Sequence, residues 1–285
     1  SLSNMTKVGA IVDWRSQGLR NRENAIVETK YCTVERDGHL TIVTLARPEV
    51  MNALHKPADD ELDRVWDDFA ADPDQWIAIV TGAGDRAFCA GNDLKFQARA
   101  DGPRRYPKSG FCGLTARFDL DKPVIAAVNG VAMGGGFEVA LACDIVIAAE
   151  SARFALPEPR LGMAALAGGM HRLPRAIGVK RAMGILLTGR HVSAREGYEL
   201  GFVTALAQQQ GALAEAKAWA AQMLECSPMS LRATKQAAMR GLTFADVEQA
   251  YRAEYEAVTR LRASKDYVEG PRAFAQKRKP VWSSD

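Results

Sequence analysis

The stretch Asn129-Gly130-Val131-Ala132-Met133-Gly134-Gly135-Gly136-Phe137-Glu138 limits what this chain can build more than any other. The apolar run from Pro123 to Val128 just before it has the length and composition of a buried strand. Phe137 to Cys143 after it reads as a helix. Three glycines therefore fall where a strand hands over to a helix. The first turn of a helix carries N–H groups without intrahelical acceptors, and the helix dipole adds partial positive charge there. With no Cβ on Gly134, Gly135 or Gly136, an acceptor oxygen can approach those amides closely. One turn on, Glu138 is a single carboxylate in an apolar segment. A donor amide beside a buried carboxylate can stabilise an oxyanion while a proton moves. The same residues also fit close helix–sheet packing with a solvent-facing Glu138, so a second signal has to choose between the two.

Two further places supply it. Phe88-Cys89-Ala90-Gly91-Asn92-Asp93-Leu94-Lys95 is another strand-to-helix junction. Gly91 permits an unusual backbone angle there, and Asn92 or Asp93 can start the helix, so the Asn92 amide is a second candidate donor. Glu158 follows Pro157, which stiffens the chain ahead of the carboxylate. Two carboxylates can hold one water and divide the work of base and acid if their surroundings separate their proton affinities. Such a dyad titrates as a unit. Taken with two donors, Glu138 and Glu158 favour chemistry over packing.

Other chemistries find little support. The chain has no G-x-S-x-G elbow, no Walker A motif and no H-E-x-x-H. His39, His55, His171 and His191 are scattered and fit surface or capping roles, and no metal site is expected. Gly82 to Ala87 matches the dinucleotide fingerprint after a strand, but Arg86 to Gly91 does not open the helix that a pyrophosphate needs. A turn is the better reading. The Lys and Arg residues of 104–108 read as a solvated face, with contact to an anionic ligand as the lesser alternative.

In chain order, residues 1–27 lack periodicity and read as a loosely held extension. Tyr31 to Arg36, the turn Asp37-Gly38, and Leu40 to Leu45 predict a β-hairpin. Leu62, Val65, Trp66 and Phe69 fall at helical spacing between Pro57 and Ala71. Strands are expected over Trp76–Val80, Asp144–Ala148 and 202–206, and an extended piece over Ala152–Leu156. Residues 99–113, rich in Gly, Pro and Arg, read as a mobile loop, and Leu114 to Phe118 as a short helix. From 211 onward the pattern is helical, broken at Pro228 and Gly241. The expected organisation is an α/β core over residues 28–205 and a helical region over 206–285.

Composition adds limits. A net charge of +3 argues for neither nucleic acid nor a membrane surface as partner. Five cysteines, an odd number with no C-x-x-C pair, fit a reduced, cytoplasmic protein. Asp144 interrupts the apolar run 139–149, so no membrane span is expected.

Several stretches together resemble the crotonase (enoyl-CoA hydratase/isomerase) superfamily. They are Arg47 to Leu54, Ala87 to Lys95, Lys122 to Gly130, Gly134 to Glu138, Phe154 to Gly162 and Gly270 to Arg278, in the family's order. Within it, Gly110 to Thr115, Phe118 to Pro123 and Phe154 to Glu158 are most similar to the carnitinyl-CoA dehydratases. The resemblance implies a crotonase-like spiral of ββα units with a C-terminal α-helical trimerisation region, assembled as a homotrimer or a dimer of trimers. It implies an acyl-CoA thioester substrate and no cofactor, coenzyme A entering as part of that substrate. Carried over, the amides of Asn92 and Gly135 would form the oxyanion hole, with Glu138 and Glu158 as the two catalytic acids. Val50, Ala90, Asp93, Leu94, Gly134, Pro157, Leu166, Phe274 and Lys277 would contact substrate or coenzyme A.

The activity implied is an enoyl-CoA hydratase, or dehydratase in reverse. Double-bond isomerisation, C–C cleavage and a catalytically inactive acyl-CoA-binding homologue stand as alternatives. One departure bears on them. Ala165-Leu166 stands where hydratases usually carry Pro-Gly, adding bulk beside Glu158 and removing a flexible amide.

Overall fold

A computed structural model describes residues 25–99, 104–208 and 211–285. Of the expected N-terminal extension, residues 1–24 lie outside the described residues. Its last part is not loose: Ala25–Glu28 forms strand β1, antiparallel to β2 (Cys32–Asp37). The hairpin of β2 and β3 (Leu40–Leu45) turns at Gly38, whose φ of +56° suits the Asp-Gly signal.

From there the chain repeats one unit, two strands and then a helix. β2 and β3 precede α1 (Lys56–Ala71); β4 (Ile77–Gly82) and β5 (Ala87–Cys89) precede the short α2 (Leu94–Gln97). β6 (Val124–Val128) and β7 (Val131–Met133) precede α3 (Gly135–Ala142). β8 (Ile145–Ala148) and β9 (Arg153–Ala155) precede α4 (Gly169–Ile177). The first strands of the last three units join β3 in parallel, giving a seven-stranded sheet in the order β1-β2-β3-β4-β6-β8-β11, with β11 at Ala205–Leu206. The second strands form a smaller sheet, β10-β9-β7-β5, closed by β10 (Val192–Ser193). Each of the last three units steps from the large sheet to the small one, and its helix carries the chain back, whereas β2 and β3 both stay in the large sheet. The β5 and β7 strands are three residues each, too short for the alternation that reveals longer strands, and β7 has no separate sequence signal.

α1 shows how the apolar stripe sets the packing. His55 caps it, its Nδ1 accepting from the Ala58 amide at 3.3 Å, and Leu62, Val65, Trp66 and Phe69 fill the main core. Lys122 closes its other end. Its buried ammonium donates to the carbonyls of Phe69 and Asp72, both at 2.6 Å, where the helix dipole is negative. The other face of the large sheet is covered by α7 (Ala212–Leu224). Ala212, Ala216 and Ala220 lie on Ile79, Ile125 and Ile147 with no bulk to hold the helix away. The expected mobile loop over 99–113 is instead tied down across its described part, as the candidate site shows. The short helix expected over Leu114 to Phe118 is a 3-10 turn at Phe111–Gly113 followed by turns.

After α5 (Val179–Leu186) and α6 (Ala194–Leu200) the chain ends in helices. α8 (Pro228–Gly241) starts and stops at the two predicted breakers, and α9 (Val247–Arg252), α10 (Glu256–Ala263) and α11 (Lys265–Ala275) follow. No helix among the described residues is long and apolar enough to cross a membrane.

Candidate active site

The glycine junction starts α3. Gly134 takes φ +52°, which side chains rarely tolerate, and its amide donates to the Ala155 carbonyl at 2.9 Å, tying the turn to β9. A Cβ on Gly134 would lie 2.9 Å from Glu158 Oε1. A Cβ on Gly135 would meet the Phe111 ring at 2.7 Å, and one on Gly136 would overlap the Cys89 carbonyl. The packing explanation of these glycines is therefore correct for Gly135 and Gly136. Gly134 alone opens toward a carboxylate.

Gly91, at φ +88°, lies directly beside this turn: a Cβ there would be 3.1 Å from the Gly135 nitrogen. Leu54 holds the next peptide, donating to the Gly91 carbonyl and accepting from Asp93, both at 2.8 Å. In such a bridge the intervening Asn92 amide points away from Leu54. Among the described residues neither the Asn92 nor the Gly135 amide donates to any acceptor. Two unspent donors thus stand at one spot, the second at a helix start where partial positive charge accumulates.

Both acids are buried there. Glu138, 3% exposed, accepts from the Gly169 amide through Oε1 at 2.9 Å. Burial pushes its carboxyl up to about 7, the Glu158 charge adds to that rise, and the Gly169 and Ala167 amides oppose it. Glu158, 9% exposed, sits in the 3-10 turn Glu158–Leu161 after Pro157. Burial raises its pKa as well, and its Oε2 has no hydrogen-bond partner among the described residues. One carboxyl is anchored and the other keeps a free oxygen. That asymmetry suits two acids with different duties.

The remaining sequence candidates divide. Gly134 and the half-buried Ala90 and Pro157 adjoin the two junctions, and Val50 ends a 3-10 turn whose neighbour Met51 accepts from the Ala90 amide at 2.9 Å. Leu94 is exposed on α2. Asp93 is committed to structure: it caps α2 by accepting from Phe96 at 3.0 Å and pairs with Arg47 at 3.0 Å. Of the Ala165-Leu166 pair, Ala165 is buried against the Gly169 turn, whereas Leu166 is 76% exposed. Phe274 on α11 and Lys277 just beyond it are exposed, and among the described residues no hydrogen bond joins either to the junctions.

Sequence reasoning missed Asp59, Arg104 and Phe111. Arg104, expected in a solvated run, is buried and ion-paired with Asp59, whose side chain is wholly buried. A signal for Asp59 exists: it lies on the same face of α1 as Leu62, Trp66 and Phe69. Nothing local marks Arg104. Among the described residues, no group of three or more His, Cys, Asp or Glu side chains is placed to hold a metal ion.

Comparison with known proteins agrees with this architecture. Residues 35–285 match the family described as enoyl-CoA hydratase/isomerase. A carnitinyl-CoA dehydratase of Citrobacter koseri is 41% identical over 255 residues, covering 87% of this chain and 96% of that protein. The Escherichia coli K12 carnitinyl-CoA dehydratase is 40% identical over 252 residues, with the same shares. Among solved structures, an enoyl-CoA hydratase from Mycobacterium tuberculosis H37Rv superposes with a TM-score of 0.83 at 34% identity, covering 90% of this chain and 99% of its own.

Proposed function

Because this chain belongs to the enoyl-CoA hydratase/isomerase family, we propose that it adds water across the α,β double bond of an acyl-CoA thioester, or removes it. The observation that carries this is the pair of buried acids, Glu138 and Glu158, beside two unspent amides. In the proposed reaction the thioester carbonyl accepts from the amides of Asn92 and Gly135. Glu138 takes a proton from water, and the water oxygen bonds to the β-carbon. The double-bond electrons move toward the carbonyl, giving enolate character that the amides stabilise. Glu158 then delivers a proton to the α-carbon. Dehydration runs the same steps backward. Removing one oxyanion donor in such a site costs on the order of 3 kcal/mol of transition-state stabilisation.

The finer assignments follow the same reading. Ala90, Leu94 and the Asp93 backbone line the path of the pantetheine and adenine, while Val50, Gly134, Pro157 and Leu166 border the thioester and acyl group. Phe274, 88% exposed, and Lys277 meet coenzyme A across a subunit boundary in a trimer or a dimer of trimers. Exposed Val247 and Tyr251 on α9, with Leu242 just after α8, support that assembly. The reaction asks for no separate cofactor, since coenzyme A arrives with the substrate. Five free cysteines suit a reducing, cytoplasmic setting.

The test is hydration of crotonyl-CoA, followed as loss of the enoyl absorbance, with carnitinyl-CoA offered in the dehydration direction. Glu158→Gln is expected to bind thioester and lose at least about 100-fold in turnover. An unchanged rate removes Glu158 from the mechanism. Double-bond migration without water uptake replaces the proposal with isomerisation, and coenzyme A binding with no turnover replaces it with a binding role.

A further inference from the structure

The most deeply buried ion pair among the described residues, Asp59 with Arg104, is hydrogen-bonded to the Asn92 junction. Asp59, in the first turn of α1, ties down the segment 104–112 at both ends: Oδ2 pairs with Arg104 Nη2, and Oδ1 accepts from the Cys112 amide at 2.9 Å. Arg104 in turn reaches both junctions. Its Nη1 donates to the Leu54 carbonyl at 3.0 Å and to the Asn92 side-chain oxygen. The Leu54 carbonyl is the same atom that fixes the Asp93 end of the Asn92 peptide. The guanidinium also lies 5.1 Å from the centre of the Phe111 ring, and that ring occupies the space where Gly135 lacks a side chain. One buried guanidinium therefore braces the Asn92 peptide through hydrogen bonds and the Gly135 peptide through Phe111.

We propose that Asp59 and Arg104 are positioning residues that set the aim of the Asn92 and Gly135 amides, and so act on the chemical step rather than on coenzyme A binding. The inference rests on those amides being the carbonyl donors. Hydrogen-bond donors aimed at developing charge lose much of their effect with small displacements, because the bond strength falls steeply with distance and angle. A planar guanidinium can hold Asp59, Leu54 and Asn92 at fixed angles and still lie against a ring. A lysine keeps the charge and loses the fork.

The experiment uses Arg104→Lys in the full chain, with two readouts. The first is steady-state hydration of crotonyl-CoA alongside thioester affinity. The second is the absorption of bound para-aminocinnamoyl-CoA, which moves to longer wavelength as its carbonyl is polarised. Arg104→Lys is expected to lower kcat on the order of 10- to 100-fold with affinity unchanged, and to lose most of the wavelength change. Asn92→Ala, which leaves the ion pair intact and removes one grip, is expected to show a smaller loss of both, and it decides the matter if Arg104→Lys does not fold. Full polarisation and full kcat in the variant overturn the proposal, as does a loss confined to affinity. Absence of any wavelength change in the unaltered protein fails the amide reading itself, a result distinct from one that the variant retains.

Discussion

Glu138 carries opposing demands. Its carboxyl is pushed up from 4.5 to about 7 because burial penalises the charge. The folded protein thus holds a proton that the unfolded chain has already released between those two values. Stability contributed by the protonated form is complete below pH 4.5 and is lost as pH rises through about 7. Glu138→Gln, which keeps an acceptor for the Gly169 amide, is expected to match the unaltered protein at acid pH. Above pH 7 it should be more stable by about 3 kcal/mol, since each tenfold change in proton affinity is worth about 1.4 kcal/mol. Denaturant melts of both proteins at pH 4 and pH 8 check this; equal differences at both values count against it. Activity runs the other way. A base that must be ionised predicts hydration declining below about pH 7, with the apparent value belonging to the Glu138–Glu158 pair. The site thus holds charge at a cost to stability.

Between helices, Asp121 is the joint with the most consequence. It follows the turns after Phe111 and accepts from Arg232 Nε of α8 at 2.9 Å and from Arg260 Nη2 of α10 at 2.5 Å. Its side chain is nearly buried, so the two bonds are better shielded than the surface pairs elsewhere. Asp121→Ala leaves two guanidinium groups without that carboxylate and is expected to cost about 1–3 kcal/mol. Hydrogen exchange should quicken in α8 and α10 while β4, β6 and β8 stay protected; a uniform increase across the chain removes Asp121 as the link. Secondary structure also explains why parts of the chain were hard to read. α1 and the β2–β3 hairpin announce themselves by periodicity and a turn signal. β7 and β10 have three and two residues, and they exist because neighbouring strands complete their hydrogen bonds.

Taken entire, the chain exposes Leu242, Val247, Tyr251 and Phe274 along its C-terminal helices, together with Val281. Apolar exposure of this kind is what the proposed assembly would cover. The protein is expected to run in light scattering as a trimer or hexamer of its 31.0 kDa chain. A monomer at micromolar concentration, with hydration intact, separates activity from assembly.

The junctions were legible in the chain alone. Three glycines between an apolar strand and a helix, Gly91 ahead of Asn92, and Glu158 after Pro157 are local patterns, and local patterns can be read because backbone sterics and periodicity act over a few residues. The family motifs lie in those same stretches. What distant segments do to one another could not be read that way. Only packing against Phe111 and the Cys89 carbonyl shows why Gly135 and Gly136 cannot carry a side chain. Only the fold turns Arg104 from an apparently solvated cation into the buried partner of Asp59, 45 residues earlier in the chain. Proton affinity belongs to the same class: a glutamate has its ordinary value in the sequence, and desolvation by segments far along the chain moves it.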